Sequence, residues 1–147
     1  MIKEYESYEY HTINSTDLTA SELAETHERI KIVSDNIIYY KNGEDQSYQK
    51  ICAVFERIDE LIWDYDEFYL ISDTTEVKKR RSSKFSSYVT HLMRERKKLK
   101  FIALIIEDDN VIKAISANVM RRLYGDIDYS ITKTVDEAVD TIKKKYF

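Results

Sequence analysis

Proline is absent from this 147-residue chain, and glycine occurs only twice, at Gly43 and Gly125. Breakers of that kind usually punctuate a fold, so element boundaries here must be read from periodicity and helix caps. No proline-rich or glycine-rich linker and no internal repeat divides the chain, whose length suits one compact unit with a core that needs no disulfide or metal. The single cysteine, Cys52, excludes an internal disulfide. With His11, His27 and His91 scattered, it makes no zinc-binding spacing, and its place in a helical pattern reads as plain core. No apolar run reaches the roughly 18 residues of a membrane span. The amino terminus, MIKEYESYEYHTIN, lacks the basic and apolar regions of a secretory signal, so a cytoplasmic location is expected and the Asn14-Ser15-Thr16 sequon has no route to glycosylation. Glycine-rich phosphate loops, nucleophile elbows and a supported Ser/His/Asp order are missing too. The expectation is a non-enzyme with no cofactor and no metal.

Charge is what the chain has in abundance, and it is unevenly placed. The formal net charge is −4. Residues 1–77 carry 6 cations and 18 anions, a net of −12, whereas residues 78–100 carry 10 cations and only Glu95, a net of +9. An acidic whole argues against a general nucleic-acid binder, while the local patch can hold one phosphate or an acidic partner. Its centre is Lys78-Lys79-Arg80-Arg81, followed by Ser82, Ser83 and Lys84. A helix opening at Ser82 would present unpaired backbone N–H groups and a partial positive charge, both favourable to an anion.

Residues 1–14 alternate aromatics with charges and read as an edge strand or a loose arm, with a short helix over 15–26. ERIKIV at 28–33 reads as a strand, Ser34-Asp35-Asn36 as a turn, and IIYYK at 37–41 as the return strand. A helix is expected over 46–63 on Ile51, Phe55, Ile58 and Ile62, and a strand over 67–72. Ser82 caps the next helix, whose apolar face is Phe85, Tyr88, Val89, Leu92 and Leu99. A strand at 101–106, a helix over 110–124 stopped by Gly125, and a strand at 127–131 follow. A closing helix begins at the Thr134-x-x-Glu137 capping box. The order β-β-α-β-α-β-α-β-α implies an α/β fold with a mixed central sheet of about five strands and four helices.

That order resembles the STAS domain family of anti-sigma-factor antagonists, especially its SpoIIAA-like branch, over residues 28–147; residues 1–27 would then be an arm or extension. Val77 followed by Lys78-Lys79-Arg80-Arg81-Ser82-Ser83-Lys84 keeps the family's valine, spacing and serine pair. Arg81 stands where the family has Asp, and Lys84 where it has Gly. The FIALII strand, followed by a segment with Ala114, Ser116 and Ala117, and the ITKTVDEAVDTI ending are similar as well. The resemblance implies a regulatory module that binds a protein partner. Ser82 or Ser83 would be the phosphoacceptor, with Lys78, Lys79, Arg80, Arg81 and Lys84 at the anion or partner contact. In the bland alternative Ser82 is a helix cap and Ser83 a solvated first-turn residue.

Glu107-Asp108-Asp109 is similar to the acidic pocket of a receiver domain, but it falls too late in the chain, and its acids suit a helix start. Arg94, Arg96, Lys97, Lys98 and Lys100 suit the negative end of their helix, or an anionic lipid surface. Trp63-Asp64-Tyr65-Asp66-Glu67 reads as a loop with Trp63 packed partly inward. Two further readings stand beside the regulatory one. The first is a carrier of a small apolar or lipid ligand, as the SpoIIAA-like branch suggests. The second is a homodimer assembled by exchange of the 1–27 arm.

Overall fold

The computed structural model describes residues 3–78, 81–106, 125 and 127–147. Within them run α1 (Ala20–Glu28), β1 (Ile30–Ser34), β2 (Ile37–Lys41), α2 (Tyr48–Leu61), β3 (Phe68–Asp73), α3 (Ser83–Glu95), β4 (Leu99–Ile105), β5 (Asp128–Thr132) and α4 (Val135–Tyr146). Two short 3₁₀ turns, Ser7–Thr12 and Ser15–Asp17, precede α1. The acids Glu107-Asp108-Asp109 and the helix expected over 110–124 lie outside the described residues. Gly125, the proposed stop for that helix, has φ of +60°, a left-handed conformation that favours glycine.

The five strands form one mixed sheet in the order β1-β2-β3-β4-β5. The pair β1–β2 is antiparallel, turning through Asp35 at φ 48°, a conformation aspartate tolerates. Every later pairing is parallel. Residues of β3 are buried throughout, as a central strand covered on both faces requires. Side chains alternate cleanly between the faces. Ile38, Tyr40, Phe68, Leu70, Ile102 and Leu104 meet α2 and α3 in one core cluster, while Ile37, Tyr69, Ile71, Phe101, Ala103 and Ile105 meet Ala138 and Ile142 of α4 in the other.

The helices begin where side chains satisfy their first N–H groups. Ser47 accepts from Lys50 N to start α2, two residues later than the pattern suggested. Thr19 and Glu22 form a full capping box that starts α1, and the helix runs through Glu28. This corrects the strand expected to begin at residue 28; β1 starts at Ile30. Thr134 caps α4 by accepting from Glu137 N, but the Glu137 carboxylate accepts from Lys133 N at 3.0 Å rather than from Thr134, so the expected box is only half made. Leu99 is also reassigned: α3 ends at Glu95, and Leu99 pairs with Phe68 as the first residue of β4. Trp63 is 79% exposed, against the expected inward packing. Among the described residues, no helix is long and apolar enough to cross a membrane.

Two polar networks tie the elements together. Arg96 forks onto both carboxylate oxygens of Asp59 at 3.3 and 3.0 Å and lies over the Phe55 ring, joining the end of α3 to α2. At the carboxyl end of β3, Asp73 accepts from the Tyr39 hydroxyl and from the Thr75 N–H and hydroxyl. Burial alone would raise the Asp73 carboxyl, but these bonds outweigh it and hold it below the usual carboxylate range. A depressed folded pKa stabilises the fold above the unfolded value of about 3.9, and that stabilisation is lost as pH falls through the lower folded value. Asp73→Ala is expected to cost about 1–3 kcal/mol at neutral pH. Urea unfolding followed by circular dichroism should show the gap between variant and wild type closing below about pH 4.

Candidate functional site

The start of α3 meets the amino-terminal arm, and the side chains there are set by ordinary capping and burial. Ser82 is the N-cap, and its Oγ accepts from Phe85 N at 3.1 Å. The same hydroxyl donates to Glu4 Oε2 at 3.3 Å. A second donor, the Tyr48 hydroxyl, reaches that carboxylate oxygen at 2.5 Å. Tyr48 opens α2, and it is fully buried with its ring 5.3 Å from Phe85 and 5.5 Å from Tyr88. Burial first, and then the bond and charge of Glu4, push the Tyr48 hydroxyl up to about 12. Two residues along the arm, Glu6 pairs with Lys84 at 2.5 Å, and this contact raises the Lys84 ammonium above its ordinary value. The anion-favouring helix start therefore holds an anion from the chain itself.

Aromatic contacts continue the seat. Tyr5 stands edge-on to Tyr48 at 4.8 Å, and its hydroxyl accepts from Gln49 Nε2 at 3.1 Å. Tyr10 lies 5.0 Å from Tyr88 and 4.9 Å from His91. Ile13 enters the α2/α3 core cluster. Residues 7–12 form a 3₁₀ turn, which replaces the edge strand considered for the arm. Among the described residues, the backbone-to-backbone hydrogen bonds of residues 3–13 close within the arm. Ion pairs this exposed contribute about 0–1 kcal/mol, and aromatic pairs about 0.5–1.5 kcal/mol beyond their burial. Residues 3–10 are thus held by a few modest side-chain contacts.

The remaining predicted site residues fall in different surroundings. Ser83 is exposed as the first residue of α3. Arg81 turns away from the serines: its guanidinium donates to Asn42 Oδ1 at 3.5 Å and Gly43 O at 3.3 Å, and it lies over the Phe85 ring. The Lys78 backbone N–H donates to the Glu44 carboxylate. Lys79 and Arg80 lie outside the described residues. In the second basic group, Arg96 is committed to Asp59, and Lys98 Nζ donates to Trp63 O at 3.4 Å. Cys52 is half-buried beside Glu56; burial and then that carboxylate push its thiol up to about 11, so it is no poised nucleophile.

Two hollows share Tyr40 in their walls. An open cleft of about 550 Å³ is lined by mixed charges that include Arg29, Glu44, Lys50, Glu76 and Lys78. A smaller apolar one, about 120 Å³, lies under Arg81 between Phe55, Leu70, Val89 and Met93. Among the described residues, no group of acids, histidines and cysteine could hold a metal ion. Glu4, Tyr5, Glu6 and Tyr48 were not foreseen as site residues. The available signal was the alternation of acids and tyrosines in an acidic arm opposite a basic segment.

No family model matches the chain, and neither a curated protein nor a solved structure matches it. The site must be interpreted from its geometry. Ser82→Ala should lower stability by about 1 kcal/mol through loss of the cap, and Ser83→Ala by much less, in urea unfolding followed by circular dichroism. Because the raised Tyr48 hydroxyl stays neutral in the fold while the unfolded chain ionises near pH 10, stability should fall as pH climbs from about 10 towards 12. Tyr48→Phe should make that alkaline loss shallower.

Proposed function

We propose that this chain is a non-enzymatic regulatory module that binds another protein through the surface at the start of α3, with phosphorylation of Ser82 or Ser83 as its switch. The observation that carries the reading is Glu4, a carboxylate seated 3.3 Å from the Ser82 hydroxyl and lying outside every strand and helix, so that its departure would break none. A phosphate on Ser82 would add about −1.5 to −2 charge where Glu4 already sits. Two such anions cannot share one helix start, so the phosphate would keep the positive end of α3 and displace the arm. Ser83, exposed one residue later, would act through the same field more weakly. Lys84 supplies positive charge beside Ser82, and the sequence adds Lys78, Lys79, Arg80 and Arg81 just before the serine pair.

The STAS-like order of elements and the serine pair opening a helix after β3 support the same role. A partner kinase calls for a cytoplasmic setting. For the carrier reading, the apolar hollow among the described residues is about 120 Å³, under the roughly 300–1,000 Å³ of a pocket for a drug-sized ligand; the 111–123 segment expected to line such a cavity lies outside them.

The test is intact-mass spectrometry with peptide mapping on protein purified from its native cell, together with hydrogen exchange on the phosphorylated form. Phosphate is expected on Ser82 or Ser83, with faster exchange across residues 3–13 when Ser82 carries it. An absence of phosphate at both serines through growth and starvation, or phosphorylated Ser82 with the arm still protected, would refute the switch.

A further inference from the structure

The contacts that hold the arm have the form of a recognition site rather than of structural packing. Within three consecutive residues, each side chain meets a different kind of partner on the domain. The Glu4 carboxylate takes hydrogen bonds from Ser82 and Tyr48, the Tyr5 ring and hydroxyl meet Tyr48 and Gln49, and Glu6 pairs with Lys84. Glu4 and Glu6 are exposed and Tyr5 is half-buried, whereas the receiving Tyr48 is wholly buried. The receiving surface is thus built into the core, and the occupant lies on top of it. Peptide grooves are read in this way, by a few side-chain pockets on a rigid element pair.

We infer that the groove between the starts of α2 and α3 is a docking site for an acidic, tyrosine-bearing peptide of a partner protein, and that the arm is an internal occupant this peptide must displace. The inference rests on the proposed protein-binding role and gives the partner its chemistry: a carboxylate, an aromatic ring and a second carboxylate in succession. Charge complementarity selects that occupant, since the arm meets Ser82 and Lys84 with the carboxylates of Glu4 and Glu6, and Lys84 belongs to a segment of strongly positive net charge. A tethered arm acts at an effective concentration of about 1 mM, so it suppresses binding of an equivalent free peptide even when its own hold is weak. Displacing it by phosphate at Ser82 would also place an anion in the Glu4 seat, so the phosphorylated chain would release the arm and refuse the peptide as well.

The experiment uses the unphosphorylated full-length chain and a fluorescein-labelled synthetic peptide of residues 3–14, titrated by fluorescence anisotropy. A full-length Glu4→Ala/Tyr5→Ala/Glu6→Ala variant should bind the peptide at least about tenfold more tightly than wild type, because its own arm no longer competes. Adding Lys84→Glu should abolish that gain. A folded triple variant that binds no better than wild type would overturn the inference. Should the triple variant not fold, Lys84→Glu alone decides the matter: it should prefer a peptide carrying Glu6→Lys over the unaltered one, and equal binding of the two would sink the groove. Light scattering supplies a further check, since a wild-type dimer that the arm substitutions dissolve would make a second copy's arm the occupant and overturn the partner. Because no phosphate is involved, a failed titration leaves the serine switch standing, and unphosphorylated serines in the cell leave the groove standing.

Discussion

Tyr48 buries its ring against Phe85 and Tyr88 at the junction of α2 and α3, yet its hydroxyl needs a hydrogen-bond partner. Left unsatisfied in that setting, a hydroxyl costs of the order of 1–3 kcal/mol. Glu4 meets the need from outside the helix pair. The same carboxylate oxygen then accepts from Ser82, so one acceptor links the first residue of α2, the cap of α3 and the arm. Removing the arm would leave the two helices in place but expose the mouth of an aromatic cluster. Water could take up the hydroxyl there if the arm left.

The uneven charge along the chain is resolved by folding. Glu6 of the acidic first half meets Lys84 of the basic segment, and Asp59 of the acidic half meets Arg96. The two contacts differ in kind. Arg96 is mostly buried and bonded through two nitrogens, which makes it a fixture of the helix pair. Lys84 and Glu6 are each about half exposed, so water and salt compete for them. The Arg96–Asp59 contact is thus committed to structure, while the Lys84–Glu6 contact is open to competition from water and salt.

Local patterns made most of the framework legible. The apolar stripe of α2, the cap at Ser82, the alternating strands and the closing helix can each be read within a window of ten or fifteen residues, because each follows from periodicity or a neighbouring side chain. The boundary errors share a cause: competition between local signals. Thr19 and Glu22 carry a capping box that starts α1, and the helix runs on to Glu28 although ERIKIV also reads as a strand. Leu99 continues the apolar face of α3 in sequence, but Arg96 leaves helical geometry and the sheet claims the leucine. The site was half legible. Ser82 and Lys84 announced an anion-seeking helix start, whereas its occupant lies 78 residues away along the chain, beyond any local window. Only complementarity of charge and aromatic content could have joined the two.

The far end of α2 has an optical consequence. Trp63 is the chain's one tryptophan, and it stands 79% exposed just past the helix that Tyr48 begins. A helix of 14 residues separates them by about 20 Å. Indole emission should already be close to that of a solvated side chain in the native state, and it will change little when the arm moves or when the core melts. The emission maximum of the tryptophan, usually the first reporter chosen, is a weak one for this protein's events. The tyrosines clustered around Tyr48 make near-ultraviolet circular dichroism the native signal that follows them.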